Sequence, residues 1–221
     1  MKFDEKNVVI KNILTEEEIK RVKDSAVAAE NSIQFDILGY YVWHLTMPED
    51  IIQKFTKVAE EVCGEELVLE EYNVSRYQLR SKDDGTESHP LLFPHTDEAF
   101  NEERFTLDYQ LESNISWPII VRSGGEAKEL NLEDNDAGTF SGTHQVHWRP
   151  KRIFSDGEFL TLVFMHFKKA NGAKELGLDH INHMRSLAKI EYDEWLKQEG
   201  RSNNLMYDPS NEPRYEKKEI L

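Results

Sequence analysis

His95 and Asp97, in the stretch Phe93-Pro94-His95-Thr96-Asp97, are separated by one residue. In an extended segment residues i and i+2 point to the same face, so the imidazole and the carboxylate converge. A second imidazole, His147, lies in the run HQVHWR, fifty residues after Asp97. Several strand-like runs between them can bring the chain back beside the first pair. Two imidazoles and one carboxylate on one face of an octahedral ion leave the other three positions open, which is the ligand set of non-haem Fe(II) centres that activate oxygen. A bare His-x-Asp pair is common by chance, so its weight comes from what surrounds it.

The other histidines have simpler readings. His144 has the opposite strand parity to His147 and should face away from the site. His89 precedes Pro90 in a loop and reads as a surface or lid residue. His180 and His183 share a helix face at i, i+3, where a solvated face is the plain expectation. His166 ends a strand and is most simply a hydrogen-bonded residue near the rim of a barrel. Phe93 and Trp148, next to the proposed ligands, read as core. Cys63, the single cysteine, cannot form an internal disulfide and is read as a small buried residue with no catalytic role.

The elements that position these residues can be read from periodicity. Thr15 and Glu18 have the form of a capping box, and Ile19, Val22, Ala26 and Ala29 follow at helical spacing, predicting a helix over 15–30. Residues 34–45 (QFDILGYYVWHL) are aromatic and β-branched, a strand broken at Gly39. Pro48 opens a second helix with acidic residues in its first turn, ending near Gly64. From 67 to 167 come LVLEEYNVSRYQL, LLFPHTD, RFTLDYQLE, WPIIVR, AGTFSG, HQVHWR and EFLTLVFMHF, separated by the turn-forming clusters SKDDGTES, SGG and EDNDAG. That spacing marks an antiparallel sandwich or barrel. A third helix is expected over 179–199, and residues 201–221 form a polar tail. The expected arrangement is a single domain over 1–200, mainly β within an α+β chain, with a β core at about 67–167.

Composition narrows the partners. Forty-two acidic against 27 basic residues give a formal charge of −15, which repels a phosphate backbone, so nucleic acid is not an expected partner. No basic, apolar leader and no uncharged stretch of bilayer length stands out, so the expected location is the cytoplasm, away from membranes.

With these residues in view, the chain resembles the 2-oxoglutarate and Fe(II)-dependent dioxygenase superfamily, in its prolyl-hydroxylase-like branch. The resemblance runs through Arg76-Tyr77, the loop around Gly85, His95-Thr96-Asp97, a shortened G-x-x-x-x-F-x-G in Gly138-Thr139-Phe140-Ser141-Gly142, and the distal His147. It covers about half the chain. It implies a double-stranded β-helix (jelly-roll, cupin-like) core with helices before and after it. It also implies Fe(II) held by His95, Asp97 and His147, with 2-oxoglutarate and O2 as cosubstrates. The implied reaction is hydroxylation of a small molecule or amino-acid side chain with release of succinate and CO2; retention of Asp97 speaks against a halogenating variant. One departure matters. The family places an Arg or Lys about ten residues after the distal His to bind the distal carboxylate of 2-oxoglutarate, and here Gly157-Glu158-Phe159-Leu160 stands there. Arg149, which shares the strand face of His147 and carries a planar guanidinium suited to a carboxylate, is the expected substitute. Arg104 and Arg152 are read as solvated surface residues, and Tyr77 as a donor to the cosubstrate. Two other readings stay open: an Fe(II) oxygenase of the same fold without 2-oxoglutarate, and a metal-free cupin-like binding module.

Overall fold

The computed structural model describes residues 6–29, 33–35, 39–81, 85, 87–97, 102–123, 125–172 and 174–198. In chain order the first elements are β1 (Val9–Ile10), α1 (Glu16–Ala28), β2 (Gln34–Phe35), β3 (Tyr41–Trp43), α2 (Glu49–Cys63), β4 (Leu67–Gln78), β5 (Arg80–Ser81) and β6 (Glu87–Ser88). They are followed by β7 (Phe105–Ser113), β8 (Ile119–Ser123), β9 (Glu126–Leu130), β10 (Ala137–Phe140), β11 (His147–Trp148), β12 (Phe159–Lys169) and α3 (Leu178–Leu196). The expected polar tail lies outside the described residues.

The helices begin and end where their terminal residues dictate. Thr15 Oγ1 accepts from the Glu18 N–H while the Glu18 carboxylate accepts from the Thr15 N–H, so the capping box satisfies two orphan donors of α1. Helix α2 follows Pro48 and stops at Gly64, whose φ of 74° is the left-handed turn that glycine enters without a Cβ penalty. Ile51, Phe55, Ala59 and Cys63 form its buried stripe. Burying Ile51 and Phe55 fully is worth roughly 1.5–3 kcal/mol each.

The strands make two antiparallel sheets. The larger has the order β1-β10-β7-β12-β4-β3-β2, and the smaller β11-β8-β9. The outer face of the large sheet (Val74, Leu107, Tyr109, Leu111, Val163, Met165, Phe167) packs on α1 and α2. On the other side α3, through Met184, Ala188, Tyr192 and Trp195, packs against Leu91, Phe93, Val146 and Trp148. Between the sheets lie Tyr77, Trp117, Phe154, Leu160 and Leu162, and a second group of Leu92, Ile119, Val121, Leu130 and Phe140. The result is a double-stranded β-helix sandwich with a helical layer on each flank. Its interior is lined by the residues whose parity points away from both layers.

Several expectations need correction. The run 91–97 is not a strand; only His95 enters a ladder, as an isolated bridge. The break expected at Gly39 is present, by contrast: β2 and β3 lie on either side of it, and its φ is 88°. Strand β9, with the sequence EAKEL, was not legible because an exposed edge strand carries no apolar alternation. No helix among the described residues is long and apolar enough to cross a membrane.

One residue secures the N-terminal arm. Asn135, at φ 71°, accepts from the Leu14 N–H (2.8 Å) and from the Tyr109 hydroxyl (3.1 Å), and donates Nδ2 to the Leu14 carbonyl (2.8 Å). Asn tolerates the left-handed region better than most residues. Replacement Asn135→Ala strands these partners and adds backbone strain, so it should destabilise the fold by about 2–4 kcal/mol, read as a lowered midpoint of urea unfolding.

Candidate metal centre

Segment 91–97 lies antiparallel to 142–149 through four spaced main-chain bonds. The N–H of Arg149 reaches Leu92 O (2.9 Å), His147 reaches His95 O (2.9 Å), His95 reaches His147 O (3.1 Å) and Asp97 reaches Gly142 O (2.8 Å). His95 and His147 are therefore directly opposite one another, with ring centroids 4.3 Å apart. Asp97, two residues beyond His95, points the same way. Its Oδ1 lies 3.9 Å from His95 Nε2 and 3.5 Å from His147 Nε2, and the three donor atoms fall within 4.8 Å of one another.

The rings are set for coordination. His95 Nδ1 is 2.8 Å from the Phe93 carbonyl and His147 Nδ1 is 3.0 Å from the Gln145 carbonyl. A carbonyl only accepts, so Nδ1 carries the proton and the Nε2 lone pair faces Asp97. Metal–donor bonds of about 2.1 Å place adjacent donors of an octahedron about 3 Å apart, so small side-chain shifts close this set around an ion. The electrostatics treat the two rings differently. Burial, with the charge of His147, pushes His95 down to about 4 and leaves it neutral near pH 7. Burial would raise Asp97, but His147, His166 and His95 outweigh it and hold the carboxyl below the usual carboxylate range. For His147 burial acts against the charged form, and Asp97 overrides it and raises the ring.

The other Asp97 oxygen is packed tightly. Thr106 Oγ1 donates to Oδ2 (3.4 Å) and lies 3.4 Å from His166 Nδ1. A Cβ at position 142 would sit 1.7 Å from Asp97 Oδ2, so only glycine lets the carboxylate in. This assigns a reason to the final Gly of the Gly138–Gly142 motif. The three donors open onto a cavity of about 260 Å³ between the sheets, which Tyr40, Asn73, Ser75, Tyr77, Phe164 and His166 also line.

Arg149 continues the His147 strand inward and is buried. One guanidinium nitrogen donates to the Trp117 carbonyl, and the group lies 5.3 Å from the centre of the Trp117 ring. Its Nε and Nη2 have no hydrogen-bond partner among the described residues. Burial lowers its pKa, opposed by Tyr77 and Asp108. Tyr77 is buried between Tyr40 and Trp117 (ring centroids 4.7 and 5.3 Å) and lines the cavity.

The remaining candidates separate from the site. His144 turns away, 3.5 Å from Glu103 and with its ring 4.4 Å from that of His180. His180 is packed there instead of facing solvent, since its Nε2 lies 3.2 Å from the Thr143 carbonyl. His89 Nδ1 accepts the Phe154 N–H (3.1 Å). His166 is not a rim residue but part of the cavity wall beside Asp97 (3.9 Å). Arg104 is also corrected: it is buried, and it pairs with Glu70 of β4 and with Glu102. Arg152 pairs with Glu158 (2.7 Å) at a partly exposed position. Sequence reasoning missed Thr106 and Asp108, which share the inward face of β7; Asp108 is fully buried with neither oxygen bonded among the described residues.

No family model and no curated protein matches the sequence. Solved structures are similar in fold. An oxidoreductase of the 2OG-Fe(II) oxygenase family from Burkholderia pseudomallei superposes with a TM-score of 0.56 at 14% identity, over 76% of this chain and 86% of that one. The non-heme alpha ketoglutarate dependent carbocyclase SnoK from nogalamycin biosynthesis gives 0.61 at 10% identity, over 82% and 87%. A prolyl hydroxylase from Trichoplax adhaerens, solved with a hypoxia inducible factor peptide, gives 0.55 at 9% identity, over 75% and 84%. At these identities the likeness establishes architecture, and the architecture is that of the 2OG-Fe(II) oxygenases, prolyl hydroxylases among them.

Proposed function

We propose that this protein is a non-haem Fe(II), 2-oxoglutarate-dependent dioxygenase that hydroxylates a small molecule or an amino-acid side chain, releasing succinate and CO2. The observation that carries the reading is the convergence of His95, Asp97 and His147 on one cavity, with both Nδ1 atoms tied to carbonyls and both Nε2 atoms turned to Asp97. Fe(II) held there would supply oxygen activation coupled to decarboxylation of the oxoacid.

The chain's own groups have defined parts. His95 and His147 would hold the ion through their Nε2 atoms, His147 on giving up the proton that Asp97 favours there, and Asp97 would bring negative charge to offset part of the ion's. Thr106 bonds the second Asp97 oxygen, which would leave the first to hold an ion. Arg149, two residues beyond His147 on the same face, offers Nε and Nη2 to the distal carboxylate of the oxoacid. Tyr77, Phe140, Ile119 and Leu92 wall the cavity and limit water at the reacting centre.

Anaerobic addition of Fe(II) and then 2-oxoglutarate to the apoprotein should produce the visible charge-transfer band of a chelated oxoacid. Asp97→Ala should lose both iron and band; equal iron content in this variant and the parent would sink the ligand set. Iron uptake without a band would favour an oxygenase that does not use the oxoacid. Gly142→Ala should behave like Asp97→Ala, since the added methyl occupies the carboxylate's place; iron content near that of the parent would refute the packing argument. Arg149→Ala should raise the 2-oxoglutarate requirement about a hundredfold or more, the usual effect of removing one partner from a buried charge pair, with Fe(II) binding retained. Unchanged oxoacid affinity would remove Arg149 from the site.

A further inference from the structure

His166 is a cavity-wall residue to which the ligand set gives no part. It lies on the inward face of β12, directly across the ladder from Thr106 of β7, and Thr106 is in turn across from Phe140 of β10. All three line the cavity, and Phe140 packs on the His147 ring with centroids 4.6 Å apart. The nearest approach of His166 to Asp97 is at Oδ2, whereas His95 and His147 approach Oδ1. The ladder therefore brings one imidazole to the side of the carboxylate that the two candidate ligands do not occupy. Space there is limited by the main chain, since a Cβ at position 142 would lie 1.7 Å from Asp97 Oδ2 and 2.7 Å from Thr106 Oγ1.

The direction of the hydrogen bonds follows from counting protons. A carboxylate that holds an ion is deprotonated and can only accept. The Thr106 hydroxyl has a single proton, and at 3.4 Å from Oδ2 that proton goes to Asp97. Lone pairs are all that remain on the hydroxyl, so His166 Nδ1, 3.4 Å from the same oxygen, meets it favourably only as N–H. The other tautomer would set a bare ring nitrogen against a hydroxyl with no proton left to give and, at 3.9 Å, against the carboxylate itself. We infer that His166 is a positioning residue for the metal-binding carboxylate: its Nδ1–H donates to Thr106, Thr106 donates to Asp97 Oδ2, and this chain keeps Asp97 a one-oxygen ligand with Oδ1 toward the imidazoles. A carboxylate free to turn could give both oxygens to the ion and take one of the positions that a facial set leaves open. The inference rests on the proposed metal site and not on the choice of oxoacid.

Two measurements test the chain. Zn(II) takes the same nitrogen and oxygen donors and is diamagnetic, so the ring-nitrogen chemical shifts of isotope-labelled parent protein loaded with Zn(II) should show His166 carrying its proton on Nδ1. A bare Nδ1 overturns the chain, and this reading needs no substitution. The second is titration with Co(II), followed by its visible d–d bands. Thr106→Val and His166→Leu should each shift the bands and weaken binding about 10–100-fold, the usual effect of removing an outer partner of a metal ligand. Thr106→Ser keeps the hydroxyl, and His166→Asn keeps an N–H near the place of Nδ1, so both should return most of the affinity and the parent's bands. A packing role predicts the reverse order at position 166, because Leu fills the space of the ring better than Asn does. The double variant Thr106→Val/His166→Leu should lose no more than the weaker single variant, since both cut the same chain. Affinity lower in His166→Asn than in His166→Leu, or losses that add in the double variant, overturns the role of His166 alone. A parent that binds neither Zn(II) nor Co(II) overturns the metal site and this inference with it, whereas metal binding without a 2-oxoglutarate band ends only the cosubstrate reading.

Discussion

The two hydrogen bonds exchanged by the main chains of His95 and His147 set everything else in the site. They fix a register in which both imidazoles leave the ladder on the same side. The bonds from Arg149 to Leu92 and from Asp97 to Gly142 lie one and three residues out of that register, and they tie the two segments together on either side of it. A slip of one residue would send every one of these side chains to the opposite face. Nothing in segment 91–97 forms a regular strand, so the alignment depends on these few bonds and on the packing behind them. Phe93 and Trp148 supply that packing by anchoring the two segments to α3. The indole of Trp195 adds a bond of 2.9 Å to the carbonyl of Arg149.

The large sheet imposes the complementary constraint. Its strands alternate between a face that α1 and α2 cover and a face that looks inward. On β7 the first set is Leu107, Tyr109 and Leu111, and the second is Thr106, Asp108 and Gln110. The polar set is buried as completely as the apolar one, so each inward polar atom must be met by a protein group or by what the cavity receives. Thr106 is met by Asp97, and Gln110 by Asp134 at 3.1 Å. Asp108 is the position where the protein supplies no hydrogen bond among the described residues.

Much of this was legible because parity and caps are local. The spacing of His95 and Asp97, the preference for His147 over His144, the capping box at Thr15 and the stop at Gly64 all follow from short-range geometry, and the structure places each of them as expected. The inward face of β7 was not legible. Alternation gives a period without saying which side is wet, and a polar face in a strand such as RFTLDYQLE reads as solvent-facing until a second sheet is known to cover it. Arg104 misled for a related reason: its partner Glu70 lies 34 residues away on another strand. Strand β9 was hidden because it owes its extended form to pairing with β8 and not to its own side chains.

The placement of His147 and Arg149 on one extended segment has a consequence of scale. Two residues along a strand span about 6.6–6.8 Å, a length set by bond geometry that no side-chain substitution can stretch. An anion held at Arg149 and at the triad together would meet two side chains rooted on one piece of backbone. That backbone is held to β8 through His147–Val121 and Trp148–Ile120, so a shift of this segment along β8 would carry both ends of the site with it.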